Sequence, residues 1–259
     1  MSFADDVWNR LSLSPRKRFA RLLPNGATVV DVGSGDMSKT YAFVYRVKRS
    51  LRIVGIEKYA DATIYGHSPL PRRIVATGMM QRVACDFTEA PLPFEDFHFD
   101  GAYCSHVIEH VKDRGAVIAE IARVLRPHGI LYVETPGPRS LAAPKASSLY
   151  TPSQTPINYY DDPTHVDAPM TVAQLRSLLE ANGFGVLDAG LHRDFGVLGL
   201  PLYAALIAIG ALPFVPFAMR WRLRAAGWWN LVGWPIFAIA RKLPAGKRAQ
   251  SEPLAVLPT

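Results

Sequence analysis

Only two of the 259 residues are cysteine, Cys85 and Cys104. That excludes a disulfide scaffold and a four-thiolate zinc site. No fixed-period repeat is present, which argues against a solenoid. The N-terminus, MSFADDVWNR, has no apolar run and carries Asp5 and Asp6, so it does not read as a secretory signal. Acid is scarce at the other end. After Asp194 there is one acidic residue, Glu252, against seven basic ones: Arg220, Arg222, Arg224, Arg241, Lys242, Lys247 and Arg248. This tail holds +6 of the formal net charge of +7. A nucleic-acid binder more often spreads its cations over a folded face. Here they accompany the most apolar part of the chain, which points to an anionic lipid surface and no nucleic acid. The 49% apolar content excludes a disordered chain and suffices for one large domain or two small ones. The expected location is cytoplasmic, at the inner face of the cell membrane.

Elsewhere apolar runs alternate with helical periodicity, the pattern of an α/β protein whose parallel sheet is covered by helices. Ala27–Val32 (ATVVDV) reads as a buried first strand, Met37–Arg49 as a helix and Leu51–Glu57 (LRIVGIE) as a second strand. Arg82–Cys85, Asp100–Ser105 and Gly129–Glu134 follow as strands three to five. The helix before the last of these carries Ile118, Ile121, Val124 and Leu125 at helical spacing and stops at Pro127-His128-Gly129. Thr171 and Gln174 make a predicted capping box, with Val172, Leu175, Leu178 and Leu179 as the stripe behind it. Gly183 is the expected C-terminal cap, and Phe184–Ala189 a sixth strand. Lys58–Met80 and the proline-rich Pro136–Pro169 break this rhythm. Long loops after strand ends are expected as lids or binding segments.

The strongest local signal is Val29-Val30-Asp31-Val32-Gly33-Ser34-Gly35-Asp36. Two glycines directly after a buried strand let backbone approach a ligand and turn into a helix. Glu57 ends the next strand 22 residues after Gly35, where a carboxylate can accept both ribose hydroxyl protons. Asp86 follows the third strand and suits an adenine amine. A dinucleotide fingerprint needs glycine or alanine at position 38, where Ser38 stands. A cationic cofactor without phosphate has no such need, and the acids Asp31 and Asp36 suit it.

Five segments carry a resemblance: VVDVGSGD (29–36), IVGIE (53–57), ACDF (84–87), FDGAYCSHVIEHV (99–111) and RVLRPHGILYVETP (123–136). In order and spacing they resemble the class I S-adenosylmethionine-dependent methyltransferases, close to the ubiquinone and small-molecule O-methyltransferase type. The resemblance covers about residues 27–192. It implies a Rossmann-like, seven-stranded, mostly parallel sheet with an antiparallel last strand. It implies S-adenosyl-L-methionine as cofactor and methyl transfer to a small acceptor at oxygen; the membrane contact expected of the C-terminal segment adds a lipid-linked acceptor as the alternative. By resemblance Asp31, Gly33 and Gly35 cradle the methionine part, Glu57 the ribose and Asp86 the adenine, with Ser34 and Phe87 also in the cofactor set. Ser105 and His106 would flank the sulfonium. Met37 stands where the family often has a third glycine. Cys85 and Cys104 fall in strands that are not neighbours in that sheet, so both are expected as free, buried thiols. The alternatives are an NAD-dependent oxidoreductase and a membrane-associated protein that keeps the fold without the chemistry.

His106, Glu109 and His110 stand at i, i+3 and i+4, which on a helix gives them one face. An imidazole can take the acceptor's proton, and His106 is the first candidate base, His165 in the long loop the second. Two other readings are open. The triplet, closed by His165, Asp161 or Asp162, has the donor types of a divalent metal site; or Glu109 and His110 merely hydrogen-bond near a helix start.

Phe195–Met219 is 25 residues without a charge. Pro213 and Pro216 should end a helix near Leu212, leaving about 12 helical residues, or roughly 18 Å, too short for a ~30 Å hydrocarbon core. Trp221, Trp228, Trp229 and Trp234, with the neighbouring arginines, suit a headgroup boundary. The expected organisation is an N-terminal helical segment (1–26), the core (27–194), a membrane-associating apolar helical insertion between strands six and seven (195–232), a final strand (233–243, with Trp234–Lys242 at its heart) and a flexible tail (244–259).

Overall fold

Among the described residues seven strands form one sheet, in the spatial order third, second, first, fourth, fifth, seventh, sixth along the chain. The computed structural model describes residues 14–58, 77–149, 157–195 and 197–244. The expectations for the N-terminal decapeptide, most of Lys58–Met80 and most of the tail lie outside these residues. The chain runs α1 (Pro15–Leu22), β1 (Thr28–Val32), the short α2 (Ser38–Thr40) continued by a π turn at Tyr41–Tyr45, β2 (Arg52–Glu57), β3 (Met80–Ala84) and β4 (Phe99–Ser105). Then come α3 (Arg114–Val124), β5 (Leu125–Pro136), α4 (Val172–Ala181), β6 (Phe184–Leu191), α5 (Leu200–Ala211), α6 (Phe217–Val232) and β7 (Pro235–Lys242).

The first five strands pair in parallel, and β7 runs antiparallel to both β5 and β6. This is the expected Rossmann-like α/β sheet with its antiparallel last strand. The strand interiors are β-branched and apolar because both sheet faces are covered. One face packs Ile118, Ile121 and Val124 of α3 and Leu175 and Leu179 of α4 over Val30, Val32 and Cys104. The other packs Phe19 and Ala20 of α1, with Val44 and Tyr45, over Val29, Tyr103 and Tyr132.

The local signals translate directly. Thr171 Oγ1 accepts from the Gln174 amide at 3.2 Å, and Gln174 Oε1 accepts from the Thr171 amide at 2.8 Å. Gly183, at φ +81°, turns the chain from α4 into β6. Several boundaries differ, and the helix expected over Met37–Arg49 is only Ser38–Thr40 with a π turn that ends at Tyr45. Helix α3 ends at Val124, and β5 starts at Leu125, running through Pro127-His128-Gly129 by a register shift against β4. His128 takes φ +66° to make that irregularity. Strand β3 starts at Met80 and ends at Ala84, so Cys85 lies just beyond it and is only half-buried, whereas Cys104 is buried. Both thiols are free.

Helices α5 and α6 pair as a hairpin between β6 and β7 in the chain. Their backbones approach closely at two glycines: a Cβ on Gly210 would lie 2.8 Å from the Arg220 carbonyl, and one on Gly227 2.7 Å from the Tyr203 carbonyl. Arg220 Nε donates to the Val215 carbonyl at 2.7 Å and so fastens the turn joining them. Trp228, Trp229 and Trp234 do not form an outward belt. They pack with Ala143, Ala146, Ile157 and Ala225 in a third core beneath the proline-rich loop. The large apolar residues of this segment that do face outward are Leu198, Leu202 and Ile209 before and along α5, and Leu212, Phe214, Phe217 and Met219 around the hairpin turn.

Candidate active site

The C-terminal ends of β3, β2, β1 and β4 stand side by side, and the residues nominated for the cofactor line them in that order. Gly33 and Gly35 take φ +69° and +53°. A Cβ on Gly33 would lie 2.4 Å from Val107 Cγ2, while at Gly35 nothing among the described residues stands within 4 Å. The first glycine is required by packing, and the second leaves open space above the turn. The Gly35 amide donates to Glu57 Oε2 at 2.9 Å, and the Lys58 amide donates to Glu57 Oε1 at 2.8 Å. One carboxylate therefore joins the β1 turn to the end of β2. Both of its oxygens keep lone pairs for further donors.

Asp31 is buried on β1 and accepts from the Thr40 hydroxyl. Burial raises its pKa to about 7 despite that hydrogen bond. Asp86, beyond β3, pairs with Lys58 at 2.7 Å and accepts from the amide and hydroxyl of Thr88. Lys58 and Thr88 pull its pKa down to about 2. The Ser34 hydroxyl is buried with no hydrogen-bond partner among the described residues. Phe87 packs, half-buried, against the α3–α4 side of the core. Ser105 ends β4 opposite Glu134 of β5.

The histidine triplet does not share a helical face. His106 takes φ +58°, Ile108–His110 is a single 3-10 turn, and α3 begins only at Arg114, capped by Asp113. The left-handed turn sends the His106 ring between two buried carboxylates, with Nδ1 3.2 Å from Glu109 Oε1 and Nε2 3.0 Å from Glu134 Oε1. Neither ring nitrogen offers a free lone pair in this arrangement. The ring of His110 instead meets that of His165, with centroids 4.9 Å apart. The set whose donor atoms converge, among the described residues, is Glu109, His110 and His165. Asp161 is committed elsewhere: its Oδ2 accepts from the amides of Ala146, Ile157 and Asn158 and ties the loop together.

Glu134 was not singled out by its sequence. It is fully buried and accepts from Arg16 Nε at 3.1 Å and from the Tyr132 hydroxyl, with rings of both His106 and His192 against it. Burial alone would raise its pKa; the charges of Arg16 and His192 hold it well below the carboxylate range. The same opposition sets Glu109, where burial is outweighed by His106 and His110. Burial disfavours charge on the His192 ring, but Glu134 and Asp194 raise its pKa nonetheless. An acid ending a buried apolar strand was the one local sign of this cluster. Arg16 and His192 lie 118 and 58 residues away, so no local spacing connects them.

A separate cleft of about 570 Å³ lies between α3 and α4, lined by Arg114, Met170, Ala173 and Leu178 among others. None of the nominated site residues lines it.

Residues 30–133 match the family described as "Methyltransferase domain". The chain is 30% identical over 188 residues to an O-methyltransferase of Pyrenophora dematioidea, covering 71% of this chain and 60% of the relative. It is 29% identical over 194 residues to the O-methyltransferase cnsE of Penicillium expansum, covering 71% and 61%. The chain thus spans about three-fifths of these relatives' length. Among solved structures, an S-adenosylmethionine-dependent methyltransferase of Mesorhizobium loti aligns at TM-score 0.55 and 15% identity, covering 87% of this chain and 96% of that one. A Burkholderia thailandensis 1,6-didemethyltoxoflavin-N1-methyltransferase with bound S-adenosylhomocysteine aligns at TM-score 0.50 and 18% identity, covering 93% and 83%.

Proposed function

Because this chain carries a class I S-adenosylmethionine-dependent methyltransferase domain, we propose that it transfers a methyl group from S-adenosyl-L-methionine to an oxygen of a small-molecule acceptor. The observation that carries this is the Gly35–Glu57 hydrogen bond beneath an open turn. Bound there, the cofactor supplies an electrophilic methyl group on a cationic sulfur. Glu57 would accept the ribose hydroxyls, Asp86 the adenine amine, and Ser34 would use its unspent hydroxyl. Asp31, Gly33 and Gly35 would hold the methionine part, with Phe87 and Ser105 bounding the site. The dinucleotide fingerprint needs glycine or alanine at position 38, and Ser38 stands there, which weighs against the oxidoreductase alternative.

In-line transfer needs the acceptor aligned and its proton removed. Of the two histidines nominated for that task, we assign the proton to His165 in the metal-free protein. Its Nδ1 is held 2.8 Å from the Tyr159 carbonyl, so Nδ1 carries the hydrogen and Nε2 the lone pair. Burial lowers its pKa and keeps the ring neutral. His106 acts through its neighbours, orienting Glu109 and Glu134. Calorimetry with S-adenosylhomocysteine and NAD tests the cofactor: the first should bind and the second should not. Binding of NAD alone would overturn the assignment.

We further propose that the α5–α6 hairpin rests the enzyme on the cytosolic membrane face, where the acceptor is lipid-linked. Phe214 is 78% exposed, Phe217 63% and Met219 53%, and Arg222 is exposed beside them. Among the described residues no helix is long and apolar enough to cross a membrane, so the contact is a shallow one. Flotation with phosphatidylserine-containing vesicles tests it. The parent should float and the Phe214→Ser, Phe217→Ser double variant should not; a parent that stays at the bottom rejects the contact.

A further inference from the structure

We propose that Glu109, His110 and His165 form a binding site for a borderline divalent transition-metal ion such as Zn²⁺. One ligand atom from each residue lies within 4.8 Å of the other two. Two imidazoles and one carboxylate are a donor set that suits zinc, iron, cobalt or nickel and does not suit magnesium, which prefers oxygen alone. The metal's existence rests on this geometry; only its use, beside the acceptor, rests on the methyl-transfer reading above.

The hydrogen-bond network fixes which nitrogens are free. The Thr164 hydroxyl donates its single proton to Asp162 Oδ1 at 2.6 Å. At 2.9 Å from His110 Nδ1 it can then only accept, so His110 carries its hydrogen on Nδ1. The Tyr159 carbonyl imposes the same tautomer on His165. Both Nε2 atoms are left as lone pairs. Neither has a hydrogen-bond partner among the described residues: His110 Nε2 is 4.0 Å from Glu109 Oε1, and His165 Nε2 is 4.0 Å from Asp162 Oδ2. The His165 side chain is 5% exposed and that of Glu109 2%, so the His165 ring lies next to a buried carboxylate. A divalent cation is one group that can take both Nε2 lone pairs and the remaining acceptor capacity of Glu109 Oε1 at once.

The supporting shell is of the kind metal sites use. Imidazoles that bind through one nitrogen have the other anchored to a carbonyl, carboxylate or hydroxyl. Here Tyr159 anchors His165, Thr164 with Asp162 anchors His110, and Thr135 Oγ1 donates to Glu109 Oε2 at 3.0 Å. That leaves Glu109 Oε1, shared with His106, to face the two rings. Ligand atoms in a tetrahedral site at about 2.1 Å from the ion are roughly 3.4 Å apart, so loading draws the three together by about an ångström. Three protein ligands leave one position open, the arrangement of a catalytic zinc rather than a structural one. His110 keeps a third of its side chain exposed and provides the way in. With the ion bound, the His165 lone pair would go to the metal, the charge beside it would make the acceptor hydroxyl more acidic, and the proton would leave to solvent on the exposed side of His110.

The test is titration of the full chain, freed of metal by chelation, with Zn²⁺ by calorimetry and with Co²⁺ by visible absorption. The parent should bind one equivalent and give the d–d bands of a four- or five-coordinate nitrogen–oxygen site. His110→Ala and His165→Ala should each weaken Zn²⁺ by on the order of 100-fold, and Thr164→Val, which touches no ligand atom, by about 10-fold. His98→Ala, at a histidine outside the cluster, should change nothing. Circular dichroism and S-adenosylhomocysteine affinity, measured on the same samples, show that each variant is folded. Zn²⁺ binding that survives both histidine variants, or a parent with no Co²⁺ bands, overturns the site. Since S-adenosylhomocysteine binding is read separately, failure of the metal site is distinguishable from failure of the methyltransferase assignment.

Discussion

The amide of Gly35 and the carboxylate of Glu57 are 2.9 Å apart, on loops that leave adjacent parallel strands. The bond sets the height of the glycine turn relative to the end of β2, and it leaves the carboxylate facing the same crevice. Glu57→Ala should therefore weaken S-adenosylhomocysteine by about 10- to 100-fold, the worth of one charge-assisted hydrogen bond at about 1.5–3 kcal/mol. Isothermal calorimetry checks this. An unchanged affinity would remove Glu57 from the cofactor set.

Asp31 gives the site a pH signature. Its pKa in the folded protein is about 7, above the unfolded value of 3.8. The sulfonium and α-ammonium groups of S-adenosyl-L-methionine prefer the ionised form, so the affinity for S-adenosyl-L-methionine should rise as pH increases through 7 and level off above it. Asp31→Asn should abolish that dependence and bind more weakly throughout.

The same group moves stability in the opposite direction. A carboxyl whose pKa is raised by folding contributes stability that is complete below about pH 4 and is lost as pH rises through about 7. The loss is at most about 1.4 kcal/mol per pH unit. Denaturant unfolding of the ligand-free parent should show this slope between pH 5 and 7, and Asp31→Asn should show less of it.

Arg16 faces Glu134 in a buried pair. Arg16→Met leaves the carboxylate in low dielectric and should cost about 3–5 kcal/mol, read by urea unfolding. Adding Glu134→Gln should recover part of that loss. A double-mutant cycle with no coupling would mean that the pair does not hold α1 to the sheet.

Gly33→Ala meets two obstacles, a positive φ and the Val107 side chain. It should lower stability by about 1–3 kcal/mol. Combining it with Val107→Ala relieves only the steric part, so partial rescue is the expected thermal-melt result.

What was legible in the sequence was local. The run ATVVDV announces a strand because both its faces are covered, and Thr171 with Gln174 announces a helix start because its two hydrogen bonds span three residues. The order of short motifs gave the cofactor crevice. What was not legible depended on tertiary approach. His106, Glu109 and His110 have helical spacing, yet His106 leaves β4 in a left-handed turn and its ring goes to Glu134 on the next strand. The four tryptophans look like a headgroup belt in one dimension, but three of them pack beneath the loop that holds Ile157. His165 could be nominated from its loop, but its partnership with His110 exists only because that loop folds over the end of β4, where the Val166 amide donates to the Glu109 carbonyl.

Among the described residues, strand β6 joins the sheet only through β7, which is the last of the described strands along the chain and lies between β5 and β6. A nascent polypeptide therefore carries an unzipped β5 flank until Pro235–Lys242 emerges, and the helical hairpin is synthesised before its second anchor exists. Cutting the chain after Val232 would cast off two strands for the deletion of one.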